Sequence, residues 1–406
     1  MPAARAEPQL NRGLLALLLA GLATIAPFTI DTYLPSFPAM AQSLAATPLQ
    51  MQQTLSVYLI AYAFMMLFHG ALSDSFGRRS VILISLAVFC AASVACALSA
   101  GLPQLLIFRA LQGLSAGAGM VVGRAMIRDI FSGADAQRLM STVTMIFAIA
   151  PAVAPVIGGW LQQLSGWRAV FWFLALFGAT LLAACYKQLP ETLPATARQP
   201  FALRPLAASY LLCARNARFI ALILALALNF GGFFLYISSA PAFVYQVLGL
   251  GTTEFAWLFV PGIMGVATGA FLSGRLAGRI APVATVKIAY CVMFTAVGIN
   301  VLHSAWLPPA VPWSVLPVML YTVGMSLAMP SISLLGLDLF PHNRGMAASL
   351  QGFAHSSGTA FVSGLISPLV SASAFTLACT MLALLLAGWM CWMMFLKLQA
   401  RYARHA

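Results

Sequence analysis

Charge is scarce in this chain of 406 residues, in which only 7% of the residues are charged and 62% are hydrophobic. So little polar surface cannot cover a water-soluble globule, and a mean hydropathy of +0.94 excludes that class of protein. Acidic residues are the scarcest charges, with eight Asp and Glu against 21 Lys and Arg. The composition therefore predicts an integral membrane protein that contacts lipid.

The chain also lacks the side-chain groupings that enzymes and metal sites require. It contains no phosphate-binding glycine loop, no paired carboxylates and no His or Cys set at metal-ligand spacing. Its seven cysteines are scattered through or beside apolar stretches, as is typical of reduced packing residues. We therefore expect no catalytic residue, no metal and no cofactor.

A formal net charge of +13 could suit a nucleic-acid-binding protein, but the basic residues lie in short loops beside hydrophobic stretches. Such loops set membrane topology and attract anionic lipid headgroups. We therefore expect membrane lipids, and no nucleic acid, as the partners of this charge.

Long apolar stretches of about twenty residues or more recur along the sequence, and each can cross about 30 Å of hydrocarbon as an α-helix. Transmembrane β-strands would instead alternate in hydrophobicity over about ten residues. The sequence predicts an all-α membrane protein with twelve transmembrane helices. The twelve centres lie near Leu22, Tyr62, Phe89, Gly117, Ala150, Leu176, Gly231, Gly262, Phe294, Gly324, Phe361 and Leu385.

The positions of the basic residues predict the orientation of these helices. With the amino terminus inside, all of the 21 Lys and Arg except Arg109 and Arg168 lie within or next to cytoplasmic segments. Short loops rich in Lys and Arg stay in the cytoplasm, so both termini are predicted to be cytoplasmic.

The longest polar interruption contains four prolines and predicts a cytoplasmic linker between two six-helix bundles. Parallel halves of this kind place a substrate site between them near the middle of the bilayer. The predicted segments are a cytoplasmic amino-terminal segment 1–12, a bundle 13–187, a linker 188–216, a bundle 217–396 and a cytoplasmic tail 397–406.

A short charged segment, Gly70–Arg79, joins the second and third apolar stretches and follows the pattern G-x-L-x-D-x-x-G-R-R. A degenerate copy, Gly274–Arg279, follows the eighth stretch and indicates an internal repeat. The first segment, which we call the gate segment, is predicted to be a tight cytoplasmic connection between membrane helices. Its marked positions are Gly70, Asp74, Gly77, Arg78 and Arg79.

Two charged residues fall inside apolar stretches, and both are candidates for proton coupling. An intramembrane carboxylate such as Asp31 costs several kcal/mol unless it is neutralised, hydrated or paired, so it indicates a proton or cation pathway. Counted from Pro103, Arg109 lies about 9 Å inside the membrane, and Asp31 lies about 10 Å inside when counted from Pro38. The two side chains can therefore face one cavity.

In such a cavity, burial favours the neutral acid and a nearby guanidinium favours the carboxylate, which together make a proton switch. Two alternatives remain open at this point. Asp31 can lie at the outer interface, where the first helix ends, and Arg109 can simply bond backbone carbonyls at a kink.

Aromatic, amide and methionine side chains are abundant on the predicted helices. Pockets for drug-like molecules are mostly apolar with a few polar groups, although ordinary packing or lipid contact is the alternative for every one of these residues. His355, in the eleventh stretch, is expected to pack with a hydrogen bond rather than to relay protons. The candidates for substrate contact are Tyr33, Tyr58, Gln112, Met120, Phe147, Asn229, Phe233, Tyr236 and Gln351.

Five sequence motifs resemble those of the major facilitator superfamily. Besides the gate segment, Arg109-Ala-Leu-Gln112-Gly113 resembles the R-x-x-Q-G signature of its fourth helix. Ala154-Pro155-Val-Ile-Gly158-Gly159 is similar to the G-P-x-x-G-G antiporter motif, with Ala154 in place of the first glycine. Pro190-Glu191-Thr192 resembles the P-E-T that closes the sixth helix.

The fifth motif, Asp31-Thr-Tyr33-Leu-Pro35-Ser-Phe-Pro38, is close to D-x-Y-L-P-x-x-P. With the other four motifs it resembles the Bcr/CflA branch of the superfamily, the bicyclomycin and chloramphenicol resistance type of drug:proton antiporter. The resemblance implies a major facilitator fold in the bacterial inner membrane. It also implies efflux of amphipathic drug-like compounds in exchange for protons, and we expect a monomer.

The resemblance further implies roles for individual residues. Asp31 carries the proton and Arg109 is its coupling partner. Asp74 and Arg78 stabilise the outward-facing state near the cytoplasmic gate. The prolines and glycines of the fifth helix shape the interface and limit proton leak.

Two other functions are weighed against drug efflux. A proton-coupled transporter of a metabolite, such as an amino acid or sugar derivative, would require more fixed polar contacts than this core offers. A channel or scaffold would need neither the antiporter-like motif nor a lone buried acid. The metabolite transporter remains the main alternative.

Overall fold

The computed structural model describes residues 12–131, 133–341 and 344–405. Throughout this part of the chain the regular elements are helical, and no β-strand occurs in it. The predicted all-α class is therefore confirmed. Apart from Arg12, the predicted amino-terminal segment 1–12 lies outside the described residues.

In the first half of the chain, up to residue 188, the described residues form nine α-helices and one 3-10 turn, Leu34–Ser36, that follows the first helix. These helices are α1 (Arg12–Asp31), α2 (Phe37–Ser43), α3 (Pro48–Met66), α4 (His69–Phe76), α5 (Arg78–Ala97), α6 (Leu102–Ala116), α7 (Ala118–Ile130), α8 (Gly133–Ser165) and α9 (Trp167–Gln188).

A connecting segment holds a 3-10 turn, Ala195–Ala197, and α10 (Leu203–Ala214). In the second half of the chain, from residue 217, the part that the structure describes forms eight further helices, and two π-helical turns, Phe243–Val247 and Val362–Ile366, interrupt them. These helices are α11 (Ala217–Ser238), α12 (Ala240–Ala242), α13 (Ala256–Leu276), α14 (Pro282–Trp306), α15 (Leu316–Asp338), α16 (Arg344–Phe361), α17 (Ser367–Val370) and α18 (Ala374–His405).

Helix α18 runs without a break into the segment 397–406 that the sequence separates as a tail. No proline or glycine lies between Phe395 and His405, so nothing in the local sequence ends the helix earlier.

Ten helical segments in the described part of the chain are long and apolar enough to cross a membrane, and the α3–α4 pair, bent by 49°, makes an eleventh. Eleven of the twelve predicted centres lie in these segments. The twelfth, Phe361, ends α16, which carries polar residues such as Gln351, His355 and Ser356. Because that helix is too polar to qualify by composition, the count of twelve and the placement of the termini stay predictions.

Local sequence signals explain where the helices near the site begin. Helix α3 starts at Pro48 because the Thr47 hydroxyl accepts a hydrogen bond from the Gln50 N–H at 3.2 Å. The Gln50 side chain in turn accepts one from the Thr47 N–H at 2.8 Å, which completes a capping box. Gly77, with φ of +95°, separates α4 from α5.

Glycines let the helices around the site approach closely. A Cβ on Gly113 of α6 would overlap the Tyr58 carbonyl oxygen on α3. One on Gly158 of α8 would overlap the Thr32 carbonyl oxygen, just after α1. Backbones therefore touch at both places, which brings α1, α3, α6 and α8 together.

The two halves of the chain meet where α3 packs on α16 and α8 packs on α13. We call the end of the bundle that carries Gly70–Arg79 the basic end, and the end that carries Pro35 and Gln52 the far end. In the orientation predicted from the sequence, the basic end faces the cytoplasm.

Candidate functional site

Arg109 of α6 is completely buried at the junction of α1, α3 and α6. Its Nη1 donates to the Gln112 side-chain oxygen at 2.9 Å and to the Thr29 carbonyl at 3.3 Å. Its Nε donates to the Thr54 carbonyl at 3.4 Å. The guanidinium thus bonds backbone carbonyls of two neighbouring helices, one of the alternatives left open by the sequence.

Two tyrosine rings cover this guanidinium. Its central carbon lies 4.2 Å from the centroid of the Tyr33 ring and 4.5 Å from that of the Tyr58 ring. Both rings are fully buried, where a cation over an aromatic face gains about 2 kcal/mol. The Tyr33 hydroxyl also lies 3.4 Å from the Thr54 hydroxyl. Tyr33 and Tyr58, both predicted substrate contacts, therefore hold Arg109.

Gln112, a third predicted substrate contact, belongs to the same cluster. Its Oε1 accepts from Arg109, and its Nε2 donates to the Ser93 hydroxyl on α5 at 2.8 Å. The Cys96 thiol approaches Oε1 at 3.6 Å. Every polar atom of the Gln112 side chain is thus engaged inside the first half of the chain.

Asp31, the last residue of α1, is only 3% exposed, so it lies inside the protein. Its Oδ1 has no hydrogen-bond partner in the structure. None of the ion pairs between described residues joins it to Arg109. Arg109 instead bonds Thr29 and stacks on Tyr33, two positions before and two after Asp31.

The Thr29 carbonyl lies in the last turn of α1 and the Tyr33 ring follows the end of that helix, so both contact Arg109. Asp31 lies between them in sequence, and no ion pair among the described residues joins it to the guanidinium. The structure therefore brings the two segments together without pairing their charges.

Arg78 organises a charge cluster at the basic end. It is 7% exposed, and its Nε donates to the Asp129 carboxylate on α7 at 3.1 Å. Its Nη1 donates to the Ser73 hydroxyl at 2.6 Å and also to the Asp74 carboxylate. Arg78 thus ties α4, α5 and α7 together.

Glu191 joins this cluster from the segment that follows α9. Its Oε1 accepts from the Arg78 backbone N–H at 2.9 Å, so a residue distant in sequence caps the first turn of α5. Its Oε2 lies 3.7 Å from Arg198. A Cβ on Gly77 would overlap both of these charged groups, which explains a glycine at that position.

Sequence reasoning named Asp74 and Arg78 but gave no role to Asp129. It noted Pro190-Glu191-Thr192 only as a motif, which was the one available signal for the capping role of Glu191. Thr192 also donates to Asp129 at 2.9 Å. Arg79 points elsewhere, because its Nη2 donates to the Tyr186 carbonyl at 2.6 Å.

A buried polar cluster joins the two halves at the far end. Gln52 on α3 donates through Nε2 to the Ser238 carbonyl at 3.0 Å and to the Ser363 hydroxyl at 3.2 Å. The Ser367 hydroxyl lies 3.5 Å from the same atom and 2.7 Å from the Ser239 hydroxyl. We call these five residues the far-end latch.

A second contact reinforces the far-end latch. The Tyr245 hydroxyl, in the second half, donates to the Pro35 carbonyl in the first half at 2.7 Å. Ser36 beside it is fully buried, and its hydroxyl has no hydrogen-bond partner. At this end, therefore, each half donates side-chain hydrogen bonds to the other half.

Comparison with known proteins identifies the family. A family model described as Major Facilitator Superfamily matches residues 18–363. The chain belongs to the major facilitator superfamily. It is therefore a multi-pass membrane transporter, and the predicted resemblance is confirmed at that level.

Among curated relatives, the chain is 32% identical over 359 residues to an uncharacterized MFS-type transporter, YdgK of Bacillus subtilis, covering 88% of each protein. It is 30% identical to a bicyclomycin resistance protein homolog of Haemophilus influenzae, covering 68% of this chain and 70% of that protein. It is 26% identical to multidrug resistance protein D of Escherichia coli, covering 93% and 95%.

Solved structures show the same fold. A bacterial homolog of the human lysosomal transporter Spinster superposes with a TM-score of 0.72 at 15% identity, covering 96% of this chain and 97% of that one. A D-xylose–proton symporter gives 0.68 at 16% identity, covering 92% and 97%. The predicted major facilitator fold is thereby confirmed.

The antiporter-like motif of this major facilitator protein lies on α8, which contains Pro155. A Cβ on Gly158 would overlap the Thr32 carbonyl next to Asp31, and one on Gly159 would overlap the Thr252 carbonyl in the second half. The motif therefore connects the segment around Asp31 to the interface between the halves.

Two predicted substrate contacts in the second half form hydrogen bonds within that half. Asn229 on α11 donates to the Tyr290 hydroxyl on α14 at 3.0 Å. The Tyr236 hydroxyl, also on α11, accepts from Asn300 at 2.8 Å. Both side chains are buried, and both join α11 to α14.

The other candidates are spread over several helices. Phe233 is buried, and its ring centroid lies 6.1 Å from that of Phe230. The His355 ring lies 4.2 Å from Phe230, so it packs on an aromatic ring as well. Gln351 exchanges hydrogen bonds with Ser333 at 2.8 and 3.1 Å. The remaining candidates, both half-buried, are Met120 and Phe147.

Proposed function

We propose that this protein is a secondary active multidrug transporter of the bacterial inner membrane. It exports amphipathic drug-like compounds, of the bicyclomycin and chloramphenicol class, in exchange for protons by alternating access. Protons are its coupling ion, membrane lipids surround it, and it works as a monomer without metal or cofactor.

The observation that carries this proposal is the isolated carboxyl group of Asp31. A buried carboxylate without a partner is strongly disfavoured, whereas the protonated acid carries no charge. Asp31 therefore holds a proton in this conformation and gives it up only when something compensates the negative charge. A group of that kind can exchange a proton for a substrate.

The surroundings of Asp31 support coupling to transport. The guanidinium of Arg109 lies in the adjoining cluster and can compensate a carboxylate after a local rearrangement. Gly158 contacts the backbone immediately after Asp31, and its neighbour Gly159 contacts the second half. A structural change at Asp31 can therefore reach the interface between the halves through these two adjacent glycines.

The drug class is supported by the names of two relatives, a bicyclomycin resistance protein homolog and multidrug resistance protein D. One proton moving down 100 mV supplies about 2.3 kcal/mol. At about 1.4 kcal/mol per tenfold, that sustains a gradient of roughly fiftyfold for a neutral compound. One carboxyl group is therefore sufficient for useful export.

The charge cluster at the basic end is proposed to act as the gate. Asp74, Asp129 and Glu191 surround Arg78, so they hold α4, α5 and α7 as one unit. Domain rocking then moves this unit as a whole against the second half.

The test compares proton release in everted membrane vesicles that contain wild type or Asp31→Asn. With an imposed proton gradient, adding chloramphenicol or another drug from a panel should release protons from wild-type vesicles. The Asp31→Asn variant should insert normally and release none. Asp338→Asn is the matched control, because that carboxylate is 61% exposed and forms a surface ion pair with Arg344.

Transport by Asp31→Asn at the wild-type rate would refute the proposed proton carrier. If wild-type vesicles release no protons with any drug of the panel but release them with an amino acid or sugar derivative, the metabolite transporter is favoured instead.

A further inference from the structure

The two tyrosines on Arg109 come from different elements of the fold. Tyr33 lies just after α1, two residues from Asp31, and Tyr58 lies in the middle of α3. Their ring centroids lie 4.2 and 4.5 Å from the guanidinium carbon, and neither ring is exposed. The guanidinium is therefore held where three chain segments meet.

Three polar atoms in this region lack a hydrogen-bond partner in the structure: Asp31 Oδ1, Arg109 Nη2 and the Tyr58 hydroxyl. Aromatic faces attract the positive charge of Arg109 but accept no directed hydrogen bond from Nη2. The guanidinium is thus one acceptor short, and the carboxyl group two residues before Tyr33 is one donor short. An ionised carboxylate would supply the acceptor that Nη2 of Arg109 lacks, and Nη2 would supply the donor that the carboxylate lacks.

Neutral rings and an ionised carboxylate attract the same guanidinium with different strengths. A charge-assisted hydrogen bond in a buried site is stronger than contact with an aromatic face. While Asp31 is protonated, its oxygens carry no net charge and attract the guanidinium more weakly than a carboxylate would, so the rings keep Arg109. Once Asp31 loses its proton, the carboxylate competes for the same cation.

We propose that Tyr33 and Tyr58 are positioning residues that form an aromatic clamp, which keeps Arg109 apart from Asp31 until Asp31 ionises. Because Tyr33 lies two residues from Asp31, a turn of this segment toward Arg109 also moves one face of the clamp. Exchange of Arg109 between clamp and carboxylate then converts proton loss into movement of α1 against α3 and α6. This inference rests on the proposed function, since it describes how its proton carrier is controlled.

The remaining titratable groups around Arg109 do not compete for it as anions would. Tyr62 stacks on Tyr58 with centroids 6.1 Å apart. The Cys96 thiol, from α5, meets the cluster through Gln112 rather than through the guanidinium. Asp31, two residues from both Thr29 and Tyr33, is therefore the acid that the proposal assigns as the competitor for Arg109.

The test uses purified full-length protein in detergent with chloramphenicol as the probe. Bound chloramphenicol and released protons are measured on the same samples, for wild type and for Tyr33→Leu, Tyr58→Leu, Tyr33→Phe and Tyr58→Phe. Phenylalanine keeps the aromatic face and removes only the hydroxyl, whereas leucine removes the face.

Without the clamp, Arg109 pairs permanently with an ionised Asp31, so no proton is left to release. The leucine variants should release at least about fivefold fewer protons per bound chloramphenicol than wild type. The phenylalanine variants should behave as wild type. If a leucine variant fails to insert, the methionine variant at the same position fills the space without a ring.

Unchanged proton release in the leucine variants would overturn the clamp. Loss in both the leucine and phenylalanine variants would overturn it too, because the hydroxyls would then be responsible. Parallel loss of drug binding and proton release would reveal a merely structural role. If the wild type binds chloramphenicol but releases no proton, the proposed function itself fails.

Discussion

Replacing Gln52 with leucine tests the far-end latch. The change removes two hydrogen bonds, of 3.0 and 3.2 Å, that the Gln52 side chain makes to the second half. When the far end opens, the same groups bond water, so each bond favours the closed form by about 1 kcal/mol. Losing about 2 kcal/mol should raise the open fraction roughly thirtyfold.

Ser36 offers a reporter of this opening. It is fully buried next to Pro35, whose carbonyl accepts from Tyr245, and its hydroxyl has no hydrogen-bond partner among the described residues, so Ser36→Cys removes no hydrogen bond. A membrane-impermeant maleimide applied from the far side should label Cys at this position about thirtyfold faster when Gln52→Leu is added. The parent protein, with its native cysteines, gives the background rate.

Gln53→Leu is the matched control, because Gln53 is the next residue of α3 and is exposed. It should leave the labelling rate of Ser36→Cys unchanged. Equal rates for Gln52→Leu and Gln53→Leu would show that the latch does not hold the far end closed. A slower rate for Gln52→Leu would refute the reasoning outright.

Two further substitutions test the packing of the fold. Glu191→Ala removes the cap on the Arg78 N–H, so it should cost about 1 kcal/mol and lower the thermal unfolding midpoint in detergent by about 2 °C. An unchanged midpoint would show that the cap is dispensable. Gly158→Ala forces a methyl group into the Thr32 carbonyl and should cost at least about 3 kcal/mol, seen as loss of monodisperse protein on gel filtration. Gly298→Ala, which meets open space on α14, is its control and should be neutral or slightly stabilising; equal behaviour of the two variants would contradict the close contact.

The charged residues show how far sequence reasoning reaches. Asp31 and Arg109 stand out because a charge in an apolar stretch is costly wherever that stretch packs. This cost favours an interior position for both, but the sequence alone left an outer-interface position open for Asp31. Their side-chain directions could not be predicted, because a rotation of about 100° per residue decides whether neighbours in sequence face the same partner.

The predicted substrate contacts show the limit more sharply. Tyr33, Tyr58 and Gln112 were chosen as residues of a type that drug pockets use. The structure surrounds Arg109 with all three. Residue type alone does not distinguish a ring that binds a drug cation from one that holds the protein's own guanidinium, because the attraction is the same.

At the basic end, Arg78 has one partner that local spacing predicts and two that only the fold brings to it. Motif spacing predicted the importance of Asp74 and Arg78, since an i, i+4 pair meets on one helical face wherever the helix lies. Asp129 and Glu191 reach the same arginine from 51 and 113 residues away. Such contacts depend on how α7 and the segment after α9 return to α5.

The sequence by itself determined the membrane location, the helical class and the presence of an acid in an apolar stretch, and its motifs resemble those of the family. Composition and local spacing set the first three properties, and no packing arrangement can change them. The tertiary structure alone decided that Arg109 lies between two tyrosines rather than on Asp31, that Glu191 caps α5, and that Gln52 joins the two halves. Each depends on which helix faces meet across the bundle, and contacts between distant segments set that choice.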